Sequence, residues 1–234
     1  MNPKIIVTGG NGRFAKVLKK QNKKLNLIFM TKKDLNILNY NSLENKIKKI
    51  KPKIILHTAG LSRPMSMHEK YISKSIDLNI IGTCNIVKVC QKYNIKVIYF
   101  STGYVYEGIK GNYKEEDPVK PFNNYGLSKL AGECAVQMYK NSLVLRITMT
   151  EKPFAYKKAF TNLKTNFMFH EDLVNLLPKL ISKKGILNVG GISQSVYKFA
   201  KRYNIKVKGV KAKNLYNLPL NQTMNINRLR KIIG

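Results

Sequence analysis

The chain has 234 residues, 44% of them apolar, enough for one sizeable core or for one domain with an annex. Lys and Arg number 43 against 12 Asp and Glu, a formal charge of +31 that attracts polyanionic ligands in general. No apolar run reaches the ~18 residues of a membrane span, and the opening MNPKIIVTGG lacks a signal peptide's apolar stretch and cleavage site, which points to the cytoplasm.

Strands and helices alternate along the first 150 residues. KIIVT at 4–8 reads as a buried strand, followed by glycine punctuation and a helix near 13–20. A strand at 25–30, a helix near 42–50 and a strand at 53–58 follow. One long helix is predicted near 69–93, then a strand at 96–101, a helix near 124–139 and a strand at 142–147. This rhythm implies right-handed crossovers and a doubly wound parallel α/β sheet of Rossmann type. After residue 150 it loosens to a helix near 171–182, a strand near 186–190 and a helix near 194–203. The division predicted is a nucleotide-binding domain over 1–150 and a small C-terminal substrate-side annex over 151–234.

Three motifs carry chemistry. TGGNGRFA at 8–15 falls at the first strand–helix junction. There Gly9 permits a tight turn, Gly12 lets backbone approach a diphosphate, and Ala15 keeps the helix close to the strand. Arg13 and Phe14 belong to the same loop. After the second strand, Lys32 and Lys33 stand where an acidic residue would bind a free ribose 2′-hydroxyl. They favour a 2′-phosphate, hence NADP over NAD, against the plainer reading of a solvated basic face. STGYVY at 101–106 ends a strand, so Thr102 could hold a carbonyl oxygen at the ligand-binding edge.

YGLSK at 125–129 sets Tyr125 and Lys129 on one helical face. A free phenol titrates near pH 10. A lysine charge ~4 Å away contributes on the order of 4 kcal/mol at a dielectric of ~20, about three pK units, which desolvation opposes. The expectation is a Tyr125 brought toward neutrality to act as general acid.

Other features read as structural. His57 is either a strand-end residue or a cofactor-edge contact, and His68 and His170 lack metal-ligand spacing. Glu115, Glu116 and Asp117 read as a solvated acidic loop. Cys84, Cys90 and Cys134 show no metal or disulfide spacing and read as reduced structural thiols. No metal is implied. Lysine clusters near 46–53 and 201–213 come without an arginine-rich arm or nucleic-acid motif, so no specific nucleic-acid partner is expected. Abundant Lys, Asn, Ile and Tyr fit an AT-rich coding sequence, which accounts for lysine better than for the scarcity of Asp and Glu.

Together these segments resemble the extended short-chain dehydrogenase/reductase family, and within it the dTDP-4-dehydrorhamnose reductase group. Besides TGGNGRFA, the resemblance rests on HTAG at 57–60, DLNIIGTCNI at 77–86, and STGYVYEG with GNYKEEDPVKPFNNYGLSKLAGE at 101–133. GILNVGG at 185–191 and LPLNQTMNINRL at 218–229 extend it into the tail. It implies a catalytic Thr102, Tyr125 and Lys129, with Asn79 supporting a proton-relay water. It further implies cofactor contacts at Ala59, Gly60 and Asn36. The implied cofactor is NADPH, with NAD as the alternative. The implied substrate is a nucleotide-diphosphate sugar, reduced at a 4-keto group, and a homodimer is left open.

Three departures stand out. Gly103 replaces the Asp that commonly follows the catalytic Thr. Asn36 replaces an acidic residue, and the chain is short after Arg146, where substrate loops would lie. Dehydratases of this family carry an Asp-Glu pair where this chain has Gly103 and Tyr104, so water elimination is not expected. Two alternatives remain beside the reductase: a nucleotide-sugar epimerase, and a non-catalytic NADP-binding regulatory subunit like the beta subunit of methionine adenosyltransferase.

Overall fold

The computed structural model describes residues 3–212 and 219–234, so the tail resemblance that begins at Leu218 starts outside the described residues. The predicted apolar runs become strands β1 (Lys4–Thr8), β2 (Asn26–Met30), β3 (Ile54–His57), β4 (Lys96–Thr102), β5 (Ser142–Ile147) and β6 (Gly185–Val189). They pair in parallel in the order β6-β5-β4-β3-β1-β2. β3, β4 and β5 are buried at every position, as strands covered on both faces must be.

The helices that cover the sheet are α1 (Arg13–Gln21), α2 (Tyr40–Ile50), α3 (Gly82–Lys92), α4 (Asn124–Gln137), α5 (His170–Leu180) and, after α6 (Val196–Tyr203), which packs within the segment beyond residue 150, α7 (Asn227–Ile233). Alternation along the strands divides the core between the faces. Ile5, Val7, Leu56 and Ile98 pack against Phe14 and Leu18 of α1, Leu173 and Leu177 of α5, and Leu229 of α7. Ile6, Ile55, Val97 and Tyr99 pack against Leu43, Ile47, Ile86, Val89 and Val136 of α2, α3 and α4. The segment after residue 150 completes this sheet with β6, α5 and α7. It also builds a smaller apolar cluster around Phe154, Leu163, Phe169, Val196 and Phe199.

The long helix predicted near 69–93 is broken. Short helices at Ser66–Lys70 and Ile72–Ser75 lead into a wide π-helical stretch, Ile76–Ile81, before α3 begins. The apolar spacing that suggested one helix persists through the wide turn, so periodicity does not register it. Gly82, the first residue of α3, packs closely on the 31–38 segment: a Cβ there would lie 2.5 Å from Ile37 Cδ1, so a larger residue would require that side chain to move.

β1 lies between β2 and β3, so the chain leaves it in one direction and returns on the other side. In open parallel sheets the crevice beyond the strand ends at such a reversal is where ligands sit.

Candidate active site

The first motif forms the turn expected of it. Gly9 has φ +67°, and a Cβ there would meet the Ala59 backbone at 2.9 Å. The Gly10 N–H donates to the Met30 carbonyl at 2.8 Å and the Gly12 N–H to the Gly9 carbonyl at 2.7 Å. Gly12 caps α1 with no side chain, and the first turn of α1 carries no acidic residue. The positive end of that helix therefore stays uncompensated. Phe14 and Ala15 are buried, and Phe14 packs on Phe100 with ring centres 5.1 Å apart.

A cavity of about 670 Å³ opens beside this turn. Its walls are residues 12–15, 58–65, 100–102 and 147–150, the segments at the carboxyl ends of β1, β3, β4 and β5, together with Tyr104, Tyr125 and Lys129. Ala59 and Gly60 belong to this lining. Phe154, Tyr156, Phe160 and Phe167 close the far side. These aromatics, and the polar groups Arg63, Glu151 and His170, come from stretches where the sequence showed no motif.

Thr102, Tyr125 and Lys129 share one wall of this cavity. Thr102 ends β4, where its hydroxyl accepts from the Tyr104 N–H at 3.2 Å. The Asn123 side chain caps α4 by accepting from the Gly126 N–H at 2.7 Å, which places Tyr125 and Lys129 one turn apart. The Tyr125 ring is half-buried between His68, 5.0 Å away, and Tyr104, 5.9 Å away. The Lys129 ammonium lies 4.0 Å above the Tyr99 ring and has no hydrogen-bond acceptor among the described residues, so the cavity is where it can find one.

The electrostatics correct the sequence expectation. Burial pushes the Tyr125 phenol up to about 12, against the opposing pull of Thr102, Arg63 and Arg13. Burial likewise brings Lys129 down to about 7, with Glu133 one turn below opposing it. Lys129 does not draw the phenol toward neutrality here, because desolvation weakens the very charge that was to do so.

Asn79 is 1% exposed and spends its amide on the protein. Its Oδ1 accepts from the Leu61 N–H at 2.7 Å, and its Nδ2 donates to the Leu61 carbonyl at 3.0 Å and to Ser128 Oγ at 2.9 Å. Ser128 in turn donates to the Tyr125 carbonyl at 2.8 Å. Asn79 thereby ties the wall at Leu61 to the helix that carries Tyr125. Its neighbour Gly60 leaves no room for a side chain, since a Cβ would lie 2.7 Å from Asn79 Oδ1.

Lys32 and Lys33 are exposed just past β2 and lie outside the cavity lining, as does Asn36. Asn36 Oδ1 accepts from the Leu38 N–H at 3.1 Å. Asp34 accepts from the Thr31 N–H at 2.9 Å and hydroxyl at 2.7 Å, and these bonds hold its carboxyl below the usual range. The acidic group nearest the end of β2 is thus spent on its own turn. Gly103 also has a reason: a Cβ there would lie 2.9 Å from Thr148 Oγ1 and 3.3 Å from Met224 Sδ.

Several outlying residues resolve. His57 is fully buried between Thr8 Oγ1 at 2.9 Å and Thr83 Oγ1 at 3.1 Å, and burial pulls its pKa down to about 3. It is a neutral tie between β1, β3 and α3, not a cofactor contact. His68 pairs with Ser75 Oγ at 2.7 Å, and His170 packs edge-on to Phe14. The acidic loop is not simply solvated: Glu115 is 5% exposed and accepts from the Asn188 N–H at 3.1 Å. Arg228 of α7 approaches Glu115 at 3.5 Å and Glu116 at 2.8 Å, a pairing that only the fold brings about. The three cysteines are free, but only Cys90 is buried in the core, while Cys134 is exposed. Among the described residues, no group of three or more His, Cys, Asp or Glu side chains is arranged to hold a metal ion. No helix among them is long and apolar enough to cross a membrane.

The chain is similar in sequence and in fold to known proteins. The family model described as the RmlD substrate binding domain matches residues 3–167. A dTDP-4-dehydrorhamnose reductase of Aggregatibacter actinomycetemcomitans is 27% identical over 152 residues, 63% of this chain and 51% of that protein. The methionine adenosyltransferase 2 subunit beta of Bos taurus is 30% identical over 158 residues, 62% of this chain and 46% of that protein. These matches span about half the length of the curated relatives. Among solved structures, the dTDP-4-dehydrorhamnose reductase of Bacillus anthracis, crystallised with NADP, superposes with a TM-score of 0.88 at 25% identity. That superposition covers 99% of this chain and 92% of the other. By its sequence match and its fold, the chain belongs to the RmlD substrate-binding-domain family.

Proposed function

We propose that the chain is an NADPH-dependent reductase acting on the 4-keto group of a nucleotide-linked 6-deoxy sugar. The observation that carries this reading is the convergence of Thr102, Tyr125 and Lys129 on the cavity that the glycine turn opens. The turn fits a dinucleotide, because a Cβ at Gly9 would collide with the Ala59 backbone and one at Gly12 would lie 3.0 Å from the Gly9 carbonyl oxygen, so glycine at these positions allows the tight turn that can face a diphosphate. Residues 12–15, Ala59, Gly60 and Lys129 would hold the cofactor, with Lys32 and Lys33 favouring a 2′-phosphate and NAD remaining the alternative. Two solved relatives with NADP or NAD in their crystals support this choice.

When bound, the nicotinamide supplies hydride to the carbonyl carbon. The chain's own residues handle the oxygen. Thr102 donates a hydrogen bond to the carbonyl and holds it beside the phenol. Tyr125, protonated at neutral pH, delivers its proton to the developing alkoxide. A charged Lys129 stabilises the phenolate left behind. Asn79 acts as a positioning residue, because it fixes the start of α4 through Ser128. The proton-relay role expected for it remains a proposal, one that a water beside Leu61 or Ser128 would serve. Gly103 offers no acid or base for removing water.

Mixing the protein with NADPH and a panel of nucleotide 4-keto sugars tests this directly. NADPH should be consumed in proportion to reduced product, and Tyr125→Phe should lower turnover by ~10²–10⁴ while leaving cofactor binding near the wild-type level. Loss of water without NADPH consumption would overturn the reductase, and interconversion of sugars without net oxidation would favour the epimerase.

A second reading is favoured by the beta-subunit relatives. Tight binding of a partner protein by a chain that reduces no sugar would establish it. The cytoplasm fits either reading, since neither requires a membrane. Ile72, Ile76 and Ile81 are exposed, as is Leu127 on α4, and this is the surface through which a homodimer would pack.

A further inference from the structure

One carboxylate holds two arginines across the opening of the cavity. Arg13 is the first residue of α1, beyond β1. Arg63 lies in the 58–65 wall beyond β3, and Glu151 follows the 147–150 wall beyond β5. Arg13 Nη1 approaches Glu151 Oε1 at 3.1 Å, and Arg63 Nη1 approaches Oε2 at 3.0 Å. Arg13 Nη2 also donates to Ser62 Oγ at 3.3 Å. Three walls that are distant in sequence are thereby joined at one point.

The charge at that point is unbalanced. Two guanidiniums share a single carboxylate, so one positive charge is in excess. Each guanidinium carries five N–H donors, and most of them have no acceptor among the described residues. Both arginines line the cavity, and both are close enough to Tyr125 and His170 to act on them electrostatically. The start of α1, with no acidic residue in its first turn, adds positive potential beside Arg13. In the same cavity, Lys129 is 93% buried with no hydrogen-bond acceptor among the described residues, which leaves its cation for a ligand to satisfy.

We propose that Arg13 and Arg63 form a two-arginine clamp for a diphosphate, held in register by Glu151 until the ligand arrives. This deepens the reductase reading and rests on it. A planar guanidinium matches two phosphate oxygens at once, which a lysine cannot do. As the diphosphate enters, its oxygens take the place of the Glu151 carboxylate, and the arginines stay where the carboxylate had placed them. The donors need little reorganisation, because Glu151 has already paired and oriented them. The same carboxylate competes with the ligand, so it lowers affinity while it preserves geometry.

A diphosphate could belong to the dinucleotide cofactor or to the sugar nucleotide. Titration calorimetry on the wild type and on Arg63→Met, with NADPH and with dTDP as separate probes, tells them apart. Arg63→Met should weaken one probe about tenfold or more. A loss confined to NADPH assigns the clamp to the cofactor, and a loss confined to dTDP assigns it to the substrate. Arg63→Lys should recover only part of the affinity, because it restores the charge without the fork.

Glu151→Gln removes the competitor and should leave that probe bound as tightly as before or several-fold tighter. If Arg63→Met leaves both probes unchanged, the clamp is overturned. It is also overturned if Glu151→Gln weakens that probe as much as Arg63→Met does, since the three residues would then be only a brace. A wild type that binds neither probe removes the reductase reading and the clamp with it. A wild type that binds both, with variants that do the same, removes the clamp alone.

Discussion

Consecutive turns of α4 treat their charged groups in opposite ways. Lys129 faces the cavity with the Tyr99 ring beneath its ammonium and no hydrogen-bond acceptor among the described residues. One turn on, Glu133 is fully buried and fully satisfied. It accepts from Arg146 Nη2 at 2.6 Å, from Arg146 Nε at 3.1 Å, from Ser101 Oγ at 2.7 Å and from Gln137 Nε2 at 3.1 Å. Arg146 continues the network to the Tyr106 hydroxyl at 2.7 Å and the Glu115 carbonyl at 3.0 Å. The satisfied turn anchors the helix to β4 and β5, and that anchorage lets the next turn present an unsatisfied cation to a ligand. A buried group without partners costs stability, so its retention points to function, while a completed buried network points to architecture.

Breaking the anchored turn should have the largest effect. Glu133→Gln leaves the Arg146 guanidinium buried without its counter-charge, which costs about 3–5 kcal/mol. Urea unfolding should show the midpoint falling accordingly, and a loss under about 1 kcal/mol would mean that the pair is no anchor. Lys129→Met should do the reverse. It replaces a desolvated amine by an apolar chain of similar length, so stability should stay within about 1 kcal/mol of wild type or rise. Turnover should nonetheless fall by ~10²–10⁴, because the phenolate loses its cation. If Lys129→Met proves the more destabilising of the two, the contrast between the turns fails.

A pH profile sharpens the same contrast. With a pKa near 7, Lys129 is charged below neutrality and loses its proton as the pH rises through about 7. Tyr125, at about 12, stays protonated throughout that range. The kcat/KM for reduction, which reports the free enzyme, should therefore be level in mild acid and fall about tenfold per unit above neutrality. A profile level to pH 9 would show that Lys129 keeps its proton with help from Glu133. Acid adds a separate effect through His57. Its pKa near 3 lies below the unfolded value of 6.5, so its contribution to stability is present above about 6.5 and is lost as the pH falls toward 3.

The sheet and the three motifs were legible because each depends on short-range pattern. Apolar runs at 4–8, 96–101 and 142–147 can only be buried strands, and Gly9 and Gly12 mark a turn wherever they follow one. What could not be read depends on contacts between distant segments. The close approach of Gly82 to Ile37 joins segments far apart in the chain, and the pairing of Glu115 and Glu116 depends on Arg228 arriving more than a hundred residues later. Arg63 and Glu151 meet across 88 positions, with no spacing to announce them. The pKa expectation for Tyr125 failed for a related reason. Its sign turns on how dry the wall is, and sequence spacing reports proximity but not burial.

The smallest effect belongs to cofactor choice, at a place with neither the cavity's burial nor the network's connections. Lys32 and Lys33 are exposed and have no ion-pair partner among the described residues. An exposed ion pair is worth ~0.2–1 kcal/mol, so two such lysines on a 2′-phosphate amount to roughly tenfold in affinity at most. Asp34 keeps its negative charge, since the Thr31 bonds hold its carboxyl below the usual range, and that charge opposes the preference the lysines give. Replacing both lysines with alanine should therefore lower the NADPH-to-NADH affinity ratio by up to about tenfold at low salt, with the loss shrinking as ionic strength rises. The lysines can discriminate only through the phosphate that NADH lacks, so NADH affinity should hold. Equal losses for both cofactors, measured by fluorescence titration, would make these residues part of the general basic surface. A loss in NADPH affinity that persisted at high salt would mean that the two side chains are drawn into a drier contact than their exposure in the free protein indicates.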